Sequence, residues 1–143
     1  MSESTKYESR TGRLTCTPAE FFGFITNIKN FEQFIPAGNI KNWQASEREC
    51  SFQIPPFGTA NVRIKDAIPV SRVTYSGDVL KDNEFELVVN ISGNNKKPAE
   101  VKLSLTAALN PFLKMMANEP INRFMEMLIS EMERFNFTKI PPL

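Results

Sequence analysis

The chain has 143 residues, a length that typically forms one domain with its own hydrophobic core. Its 17 lysine and arginine residues nearly balance 16 aspartate and glutamate residues, which argues against nucleic acid or an anionic membrane as partner. Because the sequence contains no histidine, Ser-His-Asp and Cys-His catalytic arrangements and imidazole-dependent metal sites are excluded. We expect a single domain over residues 1–143, with residues 1–5 and 138–143 flexible.

Cysteine content and hydropathy indicate the compartment. Cys16 and Cys50 are too few for a disulfide framework, and the opening stretch MSESTKYESR lacks the apolar segment of a secretory signal. No apolar run approaches the roughly 18 residues that a membrane span needs. These features predict a cytoplasmic protein without a transmembrane segment. No phosphate-binding glycine motif or metal-ligand cluster is present either, so we expect no cofactor.

The first predicted element is a strand within KYESRTGRLT, at residues 6–15. Its two faces are ambiguous, because Tyr7 and Leu14 fall on opposite sides of a regular strand. Glu8 and Arg10 share the parity of Leu14, so the pattern leaves open whether this charged pair enters the interior.

Two short helices are predicted next. Thr17, Pro18 and Glu20 form a capping box with proline at the first helical position. The helix that follows carries an apolar face with helical spacing, made of Phe21, Phe24, Ile25 and Ile28. A second helical piece, NFEQFIP, ends at Pro36.

Residues 40–108 change to a period of two, which is typical of strands with one buried face. The clearest case is EVKLSLTA, in which Val101, Leu103, Leu105 and Ala107 alternate with polar residues. CSFQI, TANVRIK, SRVTYSG and EFELVVNI alternate in the same way. Their short connections are rich in Pro, Gly, Asn and Asp, so the pattern predicts an antiparallel meander with one covered face and one wet face.

The last segment, NPFLKMMANEPINRFMEMLISEM, contains five of the six methionines in the chain. Because Pro120 would interrupt a continuous helix, we predict a short turn through residues 111–118 and then a long helix that starts near Pro120 and lasts to about residue 137. That helix carries an apolar stripe of Ile121, Phe124, Met125, Leu128, Ile129, Met132 and Phe135.

The order of strand, two short helices, antiparallel strands and long C-terminal helix resembles the START-like or SRPBCC superfamily. The likeness covers residues 6–137, and it includes TPAEFFGFITNIKNFEQFIP, the strand IKNWQA and the methionine-rich C-terminal segment. The resemblance implies an α+β helix-grip fold, in which a curved antiparallel sheet wraps around the C-terminal helix and leaves a cavity between them. It also implies a small hydrophobic ligand such as a lipid, sterol, quinone or polyketide-like molecule.

Combining the inward strand parity, the helix stripe and the resemblance gives a set of candidate ligand-binding residues. An ordinary hydrophobic core is the competing interpretation of the same pattern, since methionine suits adaptable binding surfaces but also fills irregular core gaps. The candidates are Trp43, Phe52, Ile54, Val62, Ile64, Val73, Tyr75, Phe85, Leu87, Val89, Leu103, Leu105, Phe112, Met116, Phe124, Met125, Leu128 and Met132.

Three functions are consistent with this sequence. The first is binding or carrying a hydrophobic ligand without covalent or metal chemistry, which makes an enzyme the less favoured class. The second is a cyclase or dehydratase of the polyketide type, which requires an ionisable group deep in the cavity. The third is an interaction module resembling chaperone-ATPase activators, which would use the outer sheet face. Formation of a homodimer is left open by the sequence.

Overall fold

The computed structural model of the protein describes residues 4–35, 40–54, 58–79, 83–93, 98–109 and 111–135. One antiparallel sheet has the spatial order β1, β8, β7, β6, β5, β4, β3, and β2 also pairs with β8. The strands are β1 (Ser4–Glu8), β2 (Gly12–Arg13), β3 (Lys41–Ala45), β4 (Glu49–Ile54), β5 (Gly58–Ile68), β6 (Arg72–Val79), β7 (Asn83–Ser92) and β8 (Glu100–Ala108). The predicted antiparallel meander is therefore confirmed. Residues 4 and 5 belong to β1, and residues 1–3 and 136–143 lie outside the described part, so the flexibility expected at the two ends stays a prediction.

Two helices and a 3₁₀ helix pack on the curved sheet. They are α1 (Pro18–Ile25), a 3₁₀ helix (Ile28–Phe34) and α2 (Pro111–Arg134). The predicted capping box starts α1: Thr17 Oγ1 accepts from the Glu20 N–H at 3.2 Å, and the Thr17 N–H donates to Glu20 Oε1 at 2.9 Å. α1 and the 3₁₀ helix cover one part of the concave sheet face, while α2 lies against another part. This arrangement is a helix-grip α+β fold, as the resemblance implied.

A one-residue shift in register resolves the ambiguous first strand. Glu8 pairs with Ser104, yet Gly12 pairs with Val101, so the first strand has one residue more than β8 between these two pairs. Ser9 bridges the shift, because its N–H donates to the Leu103 carbonyl at 2.9 Å and its Oγ accepts from the Leu103 N–H at 2.8 Å. After this point the even-numbered residues face inward, whereas before it the odd-numbered residues do. Tyr7 and Leu14 are therefore both buried. Glu8 faces the outer side, and Arg10 is exposed at the edge of α2.

The position predicted for the start of the long helix is wrong. α2 is continuous from Pro111, so the predicted turn through residues 111–118 is helical and Pro120 lies inside the helix. Proline cannot donate to the carbonyl of Met116 and disfavours the preceding turn. Two side-chain contacts span the proline: Arg123 Nη2 donates to Glu119 at 2.7 Å, and Asn122 Nδ2 donates to the Asn118 carbonyl at 3.1 Å. Local contacts and packing of the following turns therefore outweigh the propensity of one residue.

An ion-pair cluster fixes α2 to the start of the chain. The Arg10 guanidinium bonds both oxygens of Glu133, at 2.8 and 3.1 Å, and its Nε donates to Glu126 at 2.8 Å. The backbone N–H of Arg13 also donates to Glu133, at 3.0 Å. Hydrogen bonds from Arg10, and then from Arg13, lower the pKa of the Glu133 carboxyl. At Gly12, a Cβ would lie 2.9 Å from Ile129 Cγ2, so glycine permits the close approach of β2 and α2.

Replacing Glu133 with Gln tests this cluster. Because the folded pKa of Glu133 lies below its unfolded value of about 4.3, its stabilising effect is present above that value and is lost as the pH falls through the folded pKa. We expect Glu133→Gln to lower the free energy of unfolding at pH 7 by about 0.5–1.5 kcal/mol, since the cluster is partly exposed. Urea unfolding at pH 7 and pH 3 should show the difference shrinking in acid.

The matched control is Glu119→Gln, which removes only an exposed pair with Arg123. Its cost should stay below about 0.5 kcal/mol. Equal costs for the two substitutions, or a Glu133→Gln cost that persists at pH 3, would contradict the account.

Gly77 on β6 permits a tight packing arrangement within the sheet. A Cβ at this position would lie 2.1 Å from the Asn61 carbonyl oxygen and 2.9 Å from Phe85 Cζ. The first neighbour is backbone, which cannot rotate away, so any side chain displaces β5 relative to β6. The ring of Phe85 occupies the space that a side chain of residue 77 would fill.

We expect Gly77→Ala to lower the free energy of unfolding by more than about 2 kcal/mol, through overpacking. Gly23 on α1 is the control, because a Cβ there meets no atom within 4 Å. Gly23→Ala should raise stability by about 0.5–1 kcal/mol through the higher helix propensity of alanine. Urea unfolding of both variants measures the contrast, and a neutral Gly77→Ala would show that β5 and β6 are less tightly packed than described.

Candidate functional site

A cavity of about 890 Å³ lies between the concave sheet face, the 3₁₀ helix and α2. Its walls are formed by strands β3–β8, by Ile28 and Phe31 of the 3₁₀ helix, by Ile35, which follows it, and by residues of the middle of α2. Nearly all the lining side chains are aliphatic, aromatic or sulfur-containing. The volume falls within the range of about 300–1,000 Å³ that is usual for sites of small organic ligands.

The sheet register explains where the cavity begins. Leu103, Val89 and Val73 are cross-strand neighbours on the concave face, and each is fully buried in the core. Two residues further along each strand, Leu105, Leu87 and Tyr75 line the cavity. The next row consists of Ala107, Phe85, Gly77 and Val62, and three of these four also line it. The concave face therefore changes from packed core to open cavity along the strands.

Ten of the predicted candidates lie around this one cavity. Their contact with a ligand stays a prediction, but the fold brings them together from six strands and α2. They are Trp43, Phe52, Val62, Tyr75, Phe85, Leu87, Leu105, Phe124, Met125 and Leu128.

Five other candidates belong to the packed core and do not line the cavity. They face inward as parity predicted, but α1, the 3₁₀ helix and the C-terminal half of α2 cover them. They are Ile64, Val73, Val89, Leu103 and Met132, each at most 9% exposed.

The last three candidates are neither in the described cavity lining nor in the packed core. Phe112 and Met116 are 67% and 43% exposed, because the first turns of α2 project from the sheet and, among the described side chains of residues 111–120, only that of Ala117 is buried. They therefore do not line the cavity. The side chain of Ile54 lies outside the described part of the chain.

Sequence reasoning missed several lining residues, among them Phe31 of the 3₁₀ helix, small inward side chains and one asparagine. Cys50, Ala60 and Ala107 were recognised as inward but not chosen as candidates, although their small side chains are what leave space in the cavity. Asn83 is at the end of one of the short connections rich in Asn and Asp that were predicted to be turns, yet it is the first residue of β7, shares the parity of Phe85 and Leu87 and is buried. Parity was the signal that could have identified it.

Asn83 is the buried carboxamide in the described lining, at 6% exposure. Its Nδ2 donates to the carbonyl of Val79 at 3.1 Å, across the end of the β6–β7 pair. Because a carbonyl oxygen can only accept, this bond fixes which end of the carboxamide is nitrogen. In the described part of the chain, no donor bonds to the carboxamide oxygen.

Tyr75 and Cys50 are the buried titratable groups in the described lining. The Tyr75 hydroxyl donates to the Ile25 carbonyl at the end of α1, at 2.6 Å, and its ring meets Phe31 edge to face at 5.0 Å. Burial raises the pKa of Tyr75 well above its ordinary value, and burial likewise raises the pKa of the Cys50 thiol to about 12. Both groups are therefore neutral and protonated near pH 7.

Two charged residues lie at the cavity edge on α2. Arg123 pairs with Glu119 on the same helix, and Glu126 pairs with Arg10 of the N-terminal cluster. Both are exposed to solvent. Within the described residues, no cluster of three or more Cys, Asp or Glu side chains could hold a metal ion.

Comparisons with known proteins identify the fold. No protein-family model matches the sequence, and no curated protein matches it. Among solved structures, XoxI from Bacillus cereus is 12% identical, with a TM-score of 0.67 over 94% of each chain. Protein CV1439 from Chromobacterium violaceum is 8% identical, with a TM-score of 0.61 over 92% of this chain and 99% of that one.

A plant enzyme has the same fold. A point mutant of norcoclaurine synthase from Thalictrum flavum, solved with a transition-state analogue, is 6% identical and has a TM-score of 0.64 over 92% of this chain and 97% of that one. At such identities the likeness shows the fold alone, and it agrees with the helix-grip architecture. As for membranes, none of the helices within the described ranges has the length and apolar character of a membrane span.

Tyr75 and Tyr7 are both buried, but only the Tyr75 hydroxyl has a described hydrogen-bond partner, so removing each hydroxyl tests the value of that bond. Tyr75→Phe removes the bond to the Ile25 carbonyl and leaves that acceptor buried, so we expect a loss of about 1–3 kcal/mol in the free energy of unfolding. The Tyr7 hydroxyl is buried and has no hydrogen-bond partner among the described residues. Tyr7→Phe should therefore be neutral or slightly stabilising. Thermal and urea unfolding of the two variants measure the contrast, and a costly Tyr7→Phe would show that the Tyr7 hydroxyl has a partner in solution.

Proposed function

We propose that the protein binds or carries a small hydrophobic ligand in the cavity between its sheet and α2. The observation that carries the proposal is the cavity itself, about 890 Å³ in volume and apolar on nearly all its walls. The cavity is partly open to solvent, so its apolar walls are exposed to water when no ligand is bound, and this exposure costs free energy. Apolar contact with the walls would offset that cost.

The aromatic side chains favour ring-containing or flat ligands. Trp43 and Phe52 both line the cavity and stack on each other, with their ring centroids 5.6 Å apart and their planes 24° apart. Phe31 and Tyr75 contribute a second aromatic pair on another wall. Flat aromatic walls make large apolar contacts at little cost in side-chain entropy.

The chemistry of the lining favours binding over catalysis. Proton transfer needs a group whose pKa lies near the working pH and that reaches the ligand. In the described lining, Tyr75 and Cys50 are held protonated by burial, and the charges of Arg123 and Glu126 lie at the edge in ion pairs. A cyclase or dehydratase therefore lacks support from an observed acid or base.

The outer sheet face gives no support to an interaction module. Its described charges pair with one another, as in Lys65 with Glu86 and Lys102 with Glu8. The large apolar residues exposed in the described part are Ile68 and three on the first turns of α2. No broad apolar patch covers the convex surface of the described strands.

Filling the cavity tests the proposal. Ala107 is 2% exposed and lines the cavity beside Phe85, so the ring introduced by Ala107→Phe would occupy ligand space. We expect wild-type protein to bind the uncharged fluorescent probe N-phenyl-1-naphthylamine and Ala107→Phe to bind it at least about tenfold more weakly, a loss of about 1.4 kcal/mol. Fluorescence titration measures both affinities, and circular dichroism confirms that the variants are folded.

The control is Thr106→Phe, which adds the same ring to the neighbouring residue on the exposed outer face. Its probe affinity should equal that of the wild type. Failure of the wild type to bind the probe, or an equal loss in both variants, would contradict a ligand site in this cavity.

A further inference from the structure

Asn83 places one hydrogen-bonding group in a cavity whose other walls are largely apolar. It is 94% shielded from solvent, at 6% exposure, and lies at the first position of β7. A turn residue that served only the β6–β7 connection would not need to face the cavity. Position and burial together suggest that this side chain has a partner beyond Val79.

The hydrogen bond to Val79 determines which polar atoms of the Asn83 side chain are left to contact a ligand. Val79 accepts one of the two Nδ2 hydrogens at 3.1 Å, which orients the nitrogen toward the backbone. The carboxamide oxygen and the second Nδ2 hydrogen are left without partners in the described part of the chain. An apolar ligand that covered the carboxamide oxygen would leave a buried acceptor without a partner, which costs free energy, whereas a ligand that supplies a donor there avoids that cost.

We propose that Asn83 is a specificity-determining residue whose carboxamide oxygen accepts a hydrogen bond from the hydroxyl of an uncharged hydrophobic alcohol or phenol. The inference rests on the proposed ligand-binding function and narrows its ligand class. A hydroxyl group can donate to this oxygen, whereas a hydrocarbon offers it no donor.

The charges around the cavity argue against an anionic ligand whose carboxylate would lie beside Asn83. A carboxylate has no hydrogen to donate and needs a cation when it is desolvated. The cation in the described lining is Arg123, which is exposed at the edge and already bonded to Glu119 at 2.7 Å. Fatty-acid-like anions therefore have no suitable partner for their charged group beside Asn83.

The test compares ligands that differ in one group. NMR titration gives dissociation constants of 2-naphthol and 2-methylnaphthalene for wild type, Asn83→Leu and the control Asn90→Leu, which changes an exposed residue of the same strand. The wild type should bind 2-naphthol more tightly, relative to 2-methylnaphthalene, than the transfer of the two compounds from water to an apolar solvent would predict. Asn83→Leu should reduce the naphthol-to-methylnaphthalene affinity ratio about three- to tenfold, the value of one hydrogen bond. Asn90→Leu should leave the ratio unchanged.

A measurement on the wild type alone covers the case in which Asn83→Leu fails to fold. The side-chain amide resonances of Asn83 should shift on addition of 2-naphthol and shift far less with 2-methylnaphthalene. An unchanged affinity ratio in folded Asn83→Leu, or equal amide shifts with both compounds, would overturn the role of Asn83. If neither compound bound to the wild type, the proposed ligand-binding function would itself fail, which separates the two claims.

Discussion

Helix α2 packs mainly on the part of the concave face formed by β1, β2 and β8. A helix is about 10–12 Å wide and adjacent strands lie about 4.8 Å apart, so a helix covers only two or three strands. One helix therefore cannot cover a sheet of eight strands. α1 and the 3₁₀ helix cover a second region, where β6, β7 and β4 approach them. Leu105, Ala107 and their cross-strand neighbours lie between these two helical regions. The cavity occupies the gap between the regions.

Contacts between the N-terminal strand and α2 fix the position of the helix relative to the sheet and so define the shape of this gap. Arg10 joins the N-terminal strand to Glu126 and Glu133 of α2, so the helix cannot slide across the sheet without breaking a bidentate ion pair. Gly12 lets the same helix approach β2 closely on its packed side. On the opposite wall, the Tyr75 hydroxyl ties β6 to the end of α1. Polar contacts thus fix the frame, while apolar side chains line the space inside it.

Much of the fold follows from local pattern. The capping box at Thr17 and the alternation through Leu103 and Leu105 predicted α1 and β8, because these signals depend on near neighbours. Parity also separated inward from outward residues correctly on the central strands. It could not separate Leu103, which is packed, from Leu105, which lines the cavity, since that difference depends on where distant helices end. The register shift at Ser9 and the continuous helix through Pro120 likewise arise from tertiary pairing.

The central claim is that the cavity holds an apolar molecule in the native protein. Native mass spectrometry of protein purified gently from its own host tests this claim most directly. The account expects a complex of one chain with one small molecule, which organic solvent extracts as an uncharged hydrophobic compound. Detection of the bare polypeptide mass alone, together with a solution structure in which Leu87, Leu105 and Phe124 close the space by mutual contact, would contradict it.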